Sequence, residues 1–371
     1  ITVRIIYTAK EKLMIKNNTF STVGELEEAL HKSHSLYSQY VNLGSFWKPI
    51  FEEYMLGRRT LPLTYDPFFK RIFNPETHPD RLSDFLSSIL GQKVTVTHIL
   101  PNQNIMLKGS SLFIMDIVVR LEDGSLTNVE IQKMAVAFPA ERMSCYSADL
   151  LLRQYEQIRA QVGKQFNYSK MNKVYTIIIY ENTDGSETLS PVYRAFHEPN
   201  MKNIYVHHGK TTFDSGLSIE LLQEFYLIPL DVFRINGYAK NDDRLTAWLS
   251  LLSTKYVSEA EILIDKYPWF EEIFIEMSEY MHKPEEVLSM FSEALRIMDE
   301  NTALYMIDEM KNEISEQNET ISEQNETISE QNETISEQNE KIDSLENENK
   351  AQRDLIANLQ AQLDMYKIND K

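Results

Sequence analysis

The order of secondary-structure patterns and a terminal heptad repeat predict an α/β protein that ends in a long helix. Helical periodicity before residue 91 gives way to alternating, strand-like segments up to residue 134, then to another helical segment and an apolar, β-branched segment at 173–181. This αβββαβ order is typical of a mixed sheet flanked by helices. The last sixth of the chain repeats a seven-residue unit, which predicts a coiled coil.

Changes of pattern divide the 371 residues into four predicted parts. These are a helical N-terminal extension (1–60), the α/β domain (61–240), a helical region (241–310) and the heptad-repeat coiled coil (311–371). Helices are predicted at 20–58, 65–73, 78–90, 140–161, 217–227, 242–255, 257–282 and 284–310. Strands are predicted at 93–100, 112–121, 126–134, 173–181 and 204–215.

The chain is acidic, with a formal net charge of −19, and residues 311–371 carry 15 acidic and 6 basic side chains, or −9 of that total. Because phosphate contacts need Lys and Arg, any binding of nucleic acid requires a local basic patch. One cysteine, Cys145, excludes an internal disulfide framework. No apolar run is long enough to span a membrane. We therefore expect a soluble cytoplasmic protein. Cys145 has apolar neighbours on a predicted helix, and we expect it to be a packed thiol.

The repeat consists of ISEQNET at 314–320, 321–327 and 328–334, followed by ISEQNEK at 335–341. With Ile314 and every seventh residue at position a, glutamine occupies position d of these heptads, and the same register continues to Tyr366. The pattern predicts self-association through a coiled coil, as a dimer or a trimer. The glutamine layers weaken it, because each buried Gln loses hydration. The alternatives are a helix that acts as a molecular ruler, setting a distance, and a variable tail that binds a partner.

Burial of apolar side chains determines the register of a predicted hairpin at 111–134. The odd-numbered positions of both strands are apolar, so odd residues pair with odd residues when both sets lie on one side of the sheet. This pairing requires a loop with an odd number of residues. Residues 122–124 meet the condition, with Gly124 in the left-handed region of a bulged turn. In this register Asp116 lies directly opposite Glu130, with Cβ atoms within about 5.5 Å.

Two adjacent carboxylates on the solvent-facing side of a hairpin repel each other unless a cation or a proton intervenes. A divalent metal such as Mg²⁺ removes the conflict, since hard cations bind carboxylate and carbonyl oxygens. Gln132 shares the face of Glu130, whereas strand alternation places Lys133 on the other face. The hairpin is therefore the predicted site of chemistry.

The arrangement of Asp116, a hairpin and Glu130-Ile131-Gln132 resembles the D…E-x-K core of the PD-(D/E)XK nuclease superfamily. More closely, the chain resembles the Rpn group, bacterial PD-(D/E)XK nuclease family transposases or recombination-promoting nucleases. The resemblance implies a restriction-endonuclease-like core and hydrolysis of DNA phosphodiesters that depends on Mg²⁺, with Mn²⁺ as a possible substitute. The segments that carry it are TYDPFFKRIF (64–73), LFIMDIVV (112–119), NVEIQK (128–133), RMSCYSADLL (142–151) and VYTIIIY (174–180).

The same resemblance implies that Asp116 and Glu130 hold the metal, with the Ile131 carbonyl as a further ligand. Gln132 stands where the superfamily usually has a lysine that orients or acidifies the attacking water. Glutamine is common in this group and can position water, but it carries no charge. Lys70 or Lys133 could supply the missing charge, although the strand register argues against Lys133.

Other polar residues are candidates for supporting roles. Asp66 is a possible outer carboxylate, although the Pro67 that follows it favours a helix N-cap. Residues 136–175 are net basic, and Arg142, Tyr146 and Arg153 on one predicted helix could face DNA phosphates. An ordinary solvated helix face is the alternative.

Two functions are therefore open. The first is a Mg²⁺-dependent DNA endonuclease linked to mobile elements, recombination or phage defence. The second is a catalytically weak or inactive nuclease-fold protein that acts through coiled-coil oligomerisation and partner binding.

Overall fold

The computed structural model describes residues 19–100, 117–134, 140–183, 195–236 and 242–369. These residues contain a mixed sheet of six strands flanked by helices and, after it, a helix of 86 residues. The predicted α/β class and the long C-terminal helix are confirmed. The chain divides into two compact units, Ile1–Asn301 and Thr302–Lys371.

The sheet has the strand order β1-β2-β3-β4-β6-β5. The first three strands are antiparallel, β3, β4 and β6 are parallel, and β5 is antiparallel to β6. Apolar clusters pack on both faces of β4, with Ile177 and Ile179 in one cluster and Val174 and Ile178 in the other. This burial of both faces explains its nearly continuous apolar sequence. The strands are β1 (Val96–Ile99), β2 (Ile117–Leu121), β3 (Leu126–Met134), β4 (Val174–Asn182), β5 (His207–Lys210) and β6 (Gln223–Pro229).

The helices largely follow the predicted periodicity, with breaks where capping residues or proline occur. The predicted helix at 20–58 is three helices, and Ser33 caps the second of them. The predicted helix at 257–282 is interrupted at Pro268, which lacks the N–H that a continuing helix needs. The helices are α1 (Val23–His31), α2 (His34–Asn42), α3 (Gly44–Met55), α4 (Asp66–Ile72), α5 (Pro79–Leu90), α6 (Ala140–Val162), α7 (Leu230–Asn236), α8 (Arg244–Ser253), α9 (Val257–Lys266), α10 (Glu271–Glu279) and α11 (Pro284–Asn369).

The helix predicted at 217–227 is wrong, because Gln223–Pro229 forms strand β6. Its leucines recur at helical spacing, but the segment lies between β4 and β5 and forms ladders with both. These ladders satisfy the backbone on both sides of the strand, so tertiary pairing overrides the local preference. The edge strand predicted at 204–215 is shorter than expected and covers His207–Lys210.

The sheet separates two apolar clusters. The larger one packs against the odd-numbered face of β3, through Val129 and Ile131, and includes residues of α1–α5, α8–α10 and the start of α11. The smaller one lies on the even-numbered face and joins Leu126 of β3 to Tyr146 and Leu150 of α6. None of the helices in the described ranges has the length and apolarity that a membrane span requires.

Candidate active site on strand β3

The hairpin of β2 and β3 adopts the register that the sequence predicts. Ile117 pairs with Val129, and three further pairs follow in the same alignment. The three-residue loop closes through a bond from Gly124 N to Leu121 O at 3.0 Å, and Gly124 has a φ of +86°. Asp116 lies outside the described residues, so its position opposite Glu130 stays a prediction.

Glu130 is a buried carboxylate in the middle of β3, with 1 % of its surface exposed. Two side-chain amides on the same face contact it. Asn128 Nδ2 donates to Glu130 Oε1 at 3.0 Å, and Gln132 Nε2 donates to Glu130 Oε2 at 3.5 Å. Since alternate residues of a strand share a face, the spacing N-x-E-x-Q produces this row. Asn128 is not among the site residues that the sequence predicts, although its two-residue spacing from Glu130 is the signal that identifies it.

The face that carries Glu130 is covered by protein, which corrects the expectation that it faces solvent. Helix α6 lies over it, and Tyr146 and Leu150 pack in the same cluster as Leu126 and Ile178. Gln132 is the most exposed of the three polar residues, at 9 %. The hairpin sequence alone shows only that one face is apolar, and the burial of its second face depends on a helix that follows later in the chain.

Glu130 and its polar neighbours on the sheet offer oxygen atoms, which are the ligands that hard cations bind. Asn128 Oδ1 is buried without a hydrogen-bond partner, and so is Thr176 Oγ1, whose residue pairs with Asn128 across β3 and β4. Buried oxygens without partners are rare in folded proteins. These two oxygens, the Glu130 carboxylate and the Ile131 carbonyl are each of the chemical type that Mg²⁺ or Mn²⁺ binds, so the residue types present fit such an ion.

The described part of the chain does not by itself complete a metal centre. Within it, no three His, Cys, Asp or Glu side chains are grouped so that they could hold a metal ion. A site of the predicted kind therefore needs Asp116. The side chain of Lys133 also lies outside the described part.

Asp66 and Lys70 form a separate pair on α4. Lys70 Nζ lies 2.8 Å from Asp66 Oδ2, while Asp66 Oδ1 is buried without a hydrogen-bond partner. Burial raises the pKa of Asp66; Lys70 lowers it less, and Glu293 adds to the increase. The apolar side chains of α4 belong to the cluster on the odd-numbered face, opposite to Glu130. The structure therefore does not bring Asp66 or Lys70 together with Glu130.

The predicted N-cap role of Asp66 is wrong. Tyr65 is the N-cap of α4, and Asp66 occupies the first helical position, with Pro67 next. The Asp66 carboxylate instead accepts a bond from Lys70 one turn further on. The long-range packing of α4 decides this, because it buries the carboxylate near Glu293 rather than leaving it free to fold back onto the helix terminus.

The candidate DNA-binding residues of α6 have partners within the helix. Arg142 donates to the Tyr146 hydroxyl from Nε at 3.0 Å and from Nη2 at 2.7 Å, and Tyr146 is fully buried. Arg153 Nε donates to Asp149 Oδ2 at 2.6 Å. Cys145, on the same helix, is exposed, so the expectation of a packed thiol is wrong. Its position on the outer side of α6 could not be read from the apolar residues around it in sequence.

Comparison with known proteins identifies one family. The sequence profile of the PD-(D/E)XK nuclease family transposases matches residues 63–309, which is two thirds of the chain. The match includes the whole sheet, α6 and the start of α11. No curated protein and no solved structure matches the chain.

Proposed function

Because the chain belongs to the PD-(D/E)XK nuclease family transposases, we propose that it hydrolyses DNA phosphodiester bonds at a divalent-metal centre built on Glu130. The family supports a nuclease-related function. The observation that carries the choice of site is the buried Glu130 carboxylate, with the amides of Asn128 and Gln132 on its two oxygens.

The metal ligands in this proposal are Asp116, Glu130 and the main-chain carbonyl of Ile131. Continuing the β2–β3 register by one residue beyond Ile117 and Val129 would bring Asp116 opposite Glu130. A bound Mg²⁺ or Mn²⁺ lowers the pKa of an attacking water and neutralises charge on the scissile phosphate. Burial of Glu130 supports this assignment, since a buried carboxylate is stabilised by a cation.

Gln132 has two tasks in the proposed mechanism. Its amide donates to Glu130 and so holds the carboxylate in orientation. The same amide can orient a water for attack along the phosphate axis, because it offers both a donor and an acceptor. It contributes no positive charge, so a divalent metal, when bound, would have to supply the charge that a lysine at this position provides.

Arg142 is the proposed phosphate contact on the protein side. The buried Tyr146 hydroxyl fixes its guanidinium, so binding a phosphate loses little side-chain entropy. Tyr146 acts as a positioning residue because it is itself inaccessible to DNA. Arg153 forms an ion pair with Asp149, so it can bind a DNA phosphate only if the phosphate replaces the Asp149 carboxylate.

The test is cleavage of DNA by the purified protein. We expect nicking or cutting with Mg²⁺ or Mn²⁺ and none with a chelator. Asp116→Ala and Glu130→Ala should each reduce the rate by roughly 10²-fold or more, because a negative ligand of the ion is lost. Cleavage at the wild-type rate by both variants would contradict the assignment of the catalytic site to Glu130.

A matched control is Glu224→Gln. Glu224 is also a buried carboxylate of the same sheet, but it lies on the opposite face near the start of β6 and is hydrogen-bonded by Lys173 and His208. Its variant should keep the cleavage activity. Thermal melts of all variants separate loss of chemistry from loss of fold.

The neutral side chain at 132 favours a second candidate function, a nuclease fold with little activity that acts through self-association. Titration calorimetry distinguishes the two. Binding of Mg²⁺ or Mn²⁺ that disappears in Glu130→Ala supports the enzyme. No binding, with assembly intact, supports the second candidate.

We also propose that residues 311–371 join copies of the chain in the cytoplasm. From Ile314 onward, the isoleucines at position a of α11 are 52–57 % exposed and form a regular apolar stripe. The family description names transposases, which supports DNA processing by mobile elements as the biological setting. Recombination and phage defence are the other settings that we propose.

A further inference from the structure

We infer that the partner of α11 is a second copy of this chain, and that the two helices pair in parallel and in register as a two-stranded coil. Residues 341–353 set the alignment. This inference rests on the proposed self-association and deepens it, since it specifies the number of strands, their direction and their register.

The stripe on α11 has the composition of a seam between helices. Ile314, Ile321, Ile328, Ile335 and Ile342 lie one heptad apart on a continuous helix and are each about half exposed. Leu345, Ile356 and Leu359 continue the stripe with 48–55 % exposure. Half-exposed apolar side chains at positions a and d are what a facing helix covers.

The charges of the repeats permit a second acidic helix as the partner. In each ISEQNET unit the positions that flank the seam, e and g, carry Asn and Thr. Both glutamates of the unit lie at c and f, on the outer side of the helix. Two copies can therefore approach without like charges in contact, although residues 311–371 have a net charge of −9.

The repeats themselves do not select one alignment. The units at 314–334 are identical, so a shift of seven residues forms the same layers of isoleucine and glutamine again. Alignment must come from a part of the helix where the heptads differ from one another. Downstream of the repeats that part begins at Lys341, which is the first charged residue at an e or g position after Ile314.

Four charged residues match only in the parallel, unshifted pair. Lys341 and Glu348 occupy position g, and Glu346 and Arg353 occupy position e. In a parallel coil a g residue contacts the e residue five positions further along its partner, which pairs Lys341 with Glu346 and Glu348 with Arg353. A shift by one heptad replaces these contacts with Lys341 against Arg353 and Glu348 against Glu346. Both shifted contacts are repulsive.

Asn349 gives an independent reason for two strands in register. It is the one polar residue among the eight a positions from Ile314 to Leu363. A single asparagine at a pairs with its own counterpart in a dimer and fixes register and strand number at a cost in stability. On either side of it, Ile at a and Leu at d recur at 342 and 345 and at 356 and 359, the combination that favours two strands.

Cysteine cross-linking of the full chain tests direction and register. Cys145 is exposed and would react, so the background is Cys145→Ser. Under mild oxidation, Gln338→Cys at position d should give a disulfide-linked dimer, and Ser336→Cys at the outer position b should not. When a tagged Gln331→Cys chain is mixed with an untagged Gln338→Cys chain, no disulfide should join the two. Such a mixed disulfide, or no dimer from Gln338→Cys, overturns the inference.

A charge exchange tests the residues that set the alignment. The acidic variant carries Lys341→Glu and Arg353→Glu, and the basic variant carries Glu346→Lys and Glu348→Lys. Each alone should associate roughly 10–100-fold more weakly than the wild type, because four attractive contacts become repulsive. An equimolar mixture should recover the wild-type affinity as a heterodimer. Unchanged association of both variants overturns the inference.

Light scattering on the full chain distinguishes the parallel two-stranded coil from self-association in general. A dimer mass is expected. A trimer mass, or a dimer that fails the cross-linking test, would contradict the parallel two-stranded coil but would still support self-association. A monomer at micromolar concentrations would contradict both the two-stranded coil and self-association. The cleavage assay with Glu130→Ala tests the catalytic site independently of these outcomes.

Discussion

Asn128 and Gln132 place one amide on each oxygen of the Glu130 carboxylate. Amides orient a carboxylate without adding positive charge, whereas a lysine at 132 would add it. The difference matters for the proposed chemistry, because the charge that assists attack on a phosphate then has to come from a bound metal. Glutamine in place of the usual lysine at position 132 therefore predicts that cleavage depends on a bound metal.

Asp66 makes the clearest case of a titration coupled to folding. Its pKa is raised above the ordinary value of 3.8, chiefly by burial, with Lys70 opposing the change. The folded state therefore favours the neutral acid. This contribution to stability is fully present below the unfolded pKa and is lost as the pH rises through the folded pKa.

Asp66→Asn should therefore stabilise the protein at pH values above the folded pKa. We expect the Tm at about pH 8 to rise by roughly 2 °C, and no increase near pH 3, where the wild-type acid is already neutral. Asp214→Asn, at an exposed carboxylate, is the control and should change little. A lower Tm at about pH 8 would show that the ion pair with Lys70 outweighs the burial of the charge.

The same variant also tests a catalytic role for Asp66. Because its described contacts lie on the opposite side of the sheet from Glu130, we expect Asp66→Asn to cleave DNA at the wild-type rate. A large loss of cleavage with an unchanged melting curve would restore Asp66 as an outer carboxylate.

At the scale of elements, the hairpin of β2 and β3 depends on one glycine. Gly124 has a φ of +86°, a region that side chains with a Cβ rarely adopt, and a Cβ there would overlap the Asn172 side-chain amide. The turn thus needs glycine for both backbone and steric reasons. The register that follows from it determines what faces Glu130.

Gly124→Ala is expected to destabilise the protein by about 1–3 kcal/mol, because it combines a strained φ with a close contact. Urea unfolding measures the change. Gly209→Ala in β5 is the control, since a Cβ at that position would lie at an ordinary 3.6 Å from Phe225 Cβ. Equal effects at the two glycines would argue against a special role for this turn.

At the scale of the whole molecule, residues from three of the four predicted parts share one apolar cluster. Phe291, near the start of α11, lies with its ring centroid 5.4 Å from that of Trp47, 5.6 Å from that of Phe51 and 4.9 Å from that of Phe68. The N-terminal helices and the start of α11 thus support the sheet from the same side. Edge-to-face packing of this kind adds to the free energy of burial.

Phe291→Ala should cost about 3–5 kcal/mol of unfolding free energy, because a fully buried ring is replaced by a cavity. Chemical denaturation followed by tryptophan fluorescence is suitable, since Trp47 is in contact with the ring. Phe46→Ala, at a ring that is 58 % exposed, should change stability by less than about 0.5 kcal/mol. Similar losses in both variants would contradict a shared core.

Several features follow from the sequence alone because they depend on near neighbours. Alternation of apolar residues predicts β3 and the register of its hairpin, an unbroken apolar run predicts β4, and helical periodicity predicts α6. The motif around Glu130 was sufficient to indicate the family. The heptads predict a long helix, since their periodicity is independent of anything that packs against it.

Other features are decided by contacts between segments that are distant in sequence. The segment at 223–229 becomes a strand because β4 and β5 lie on either side of it. The face of Glu130 is buried because α6 crosses it, and Asp66 is buried because α4 packs on the other side of the sheet. A periodicity shows which side of an element is apolar. Which element covers the other side is determined only when the chain has folded.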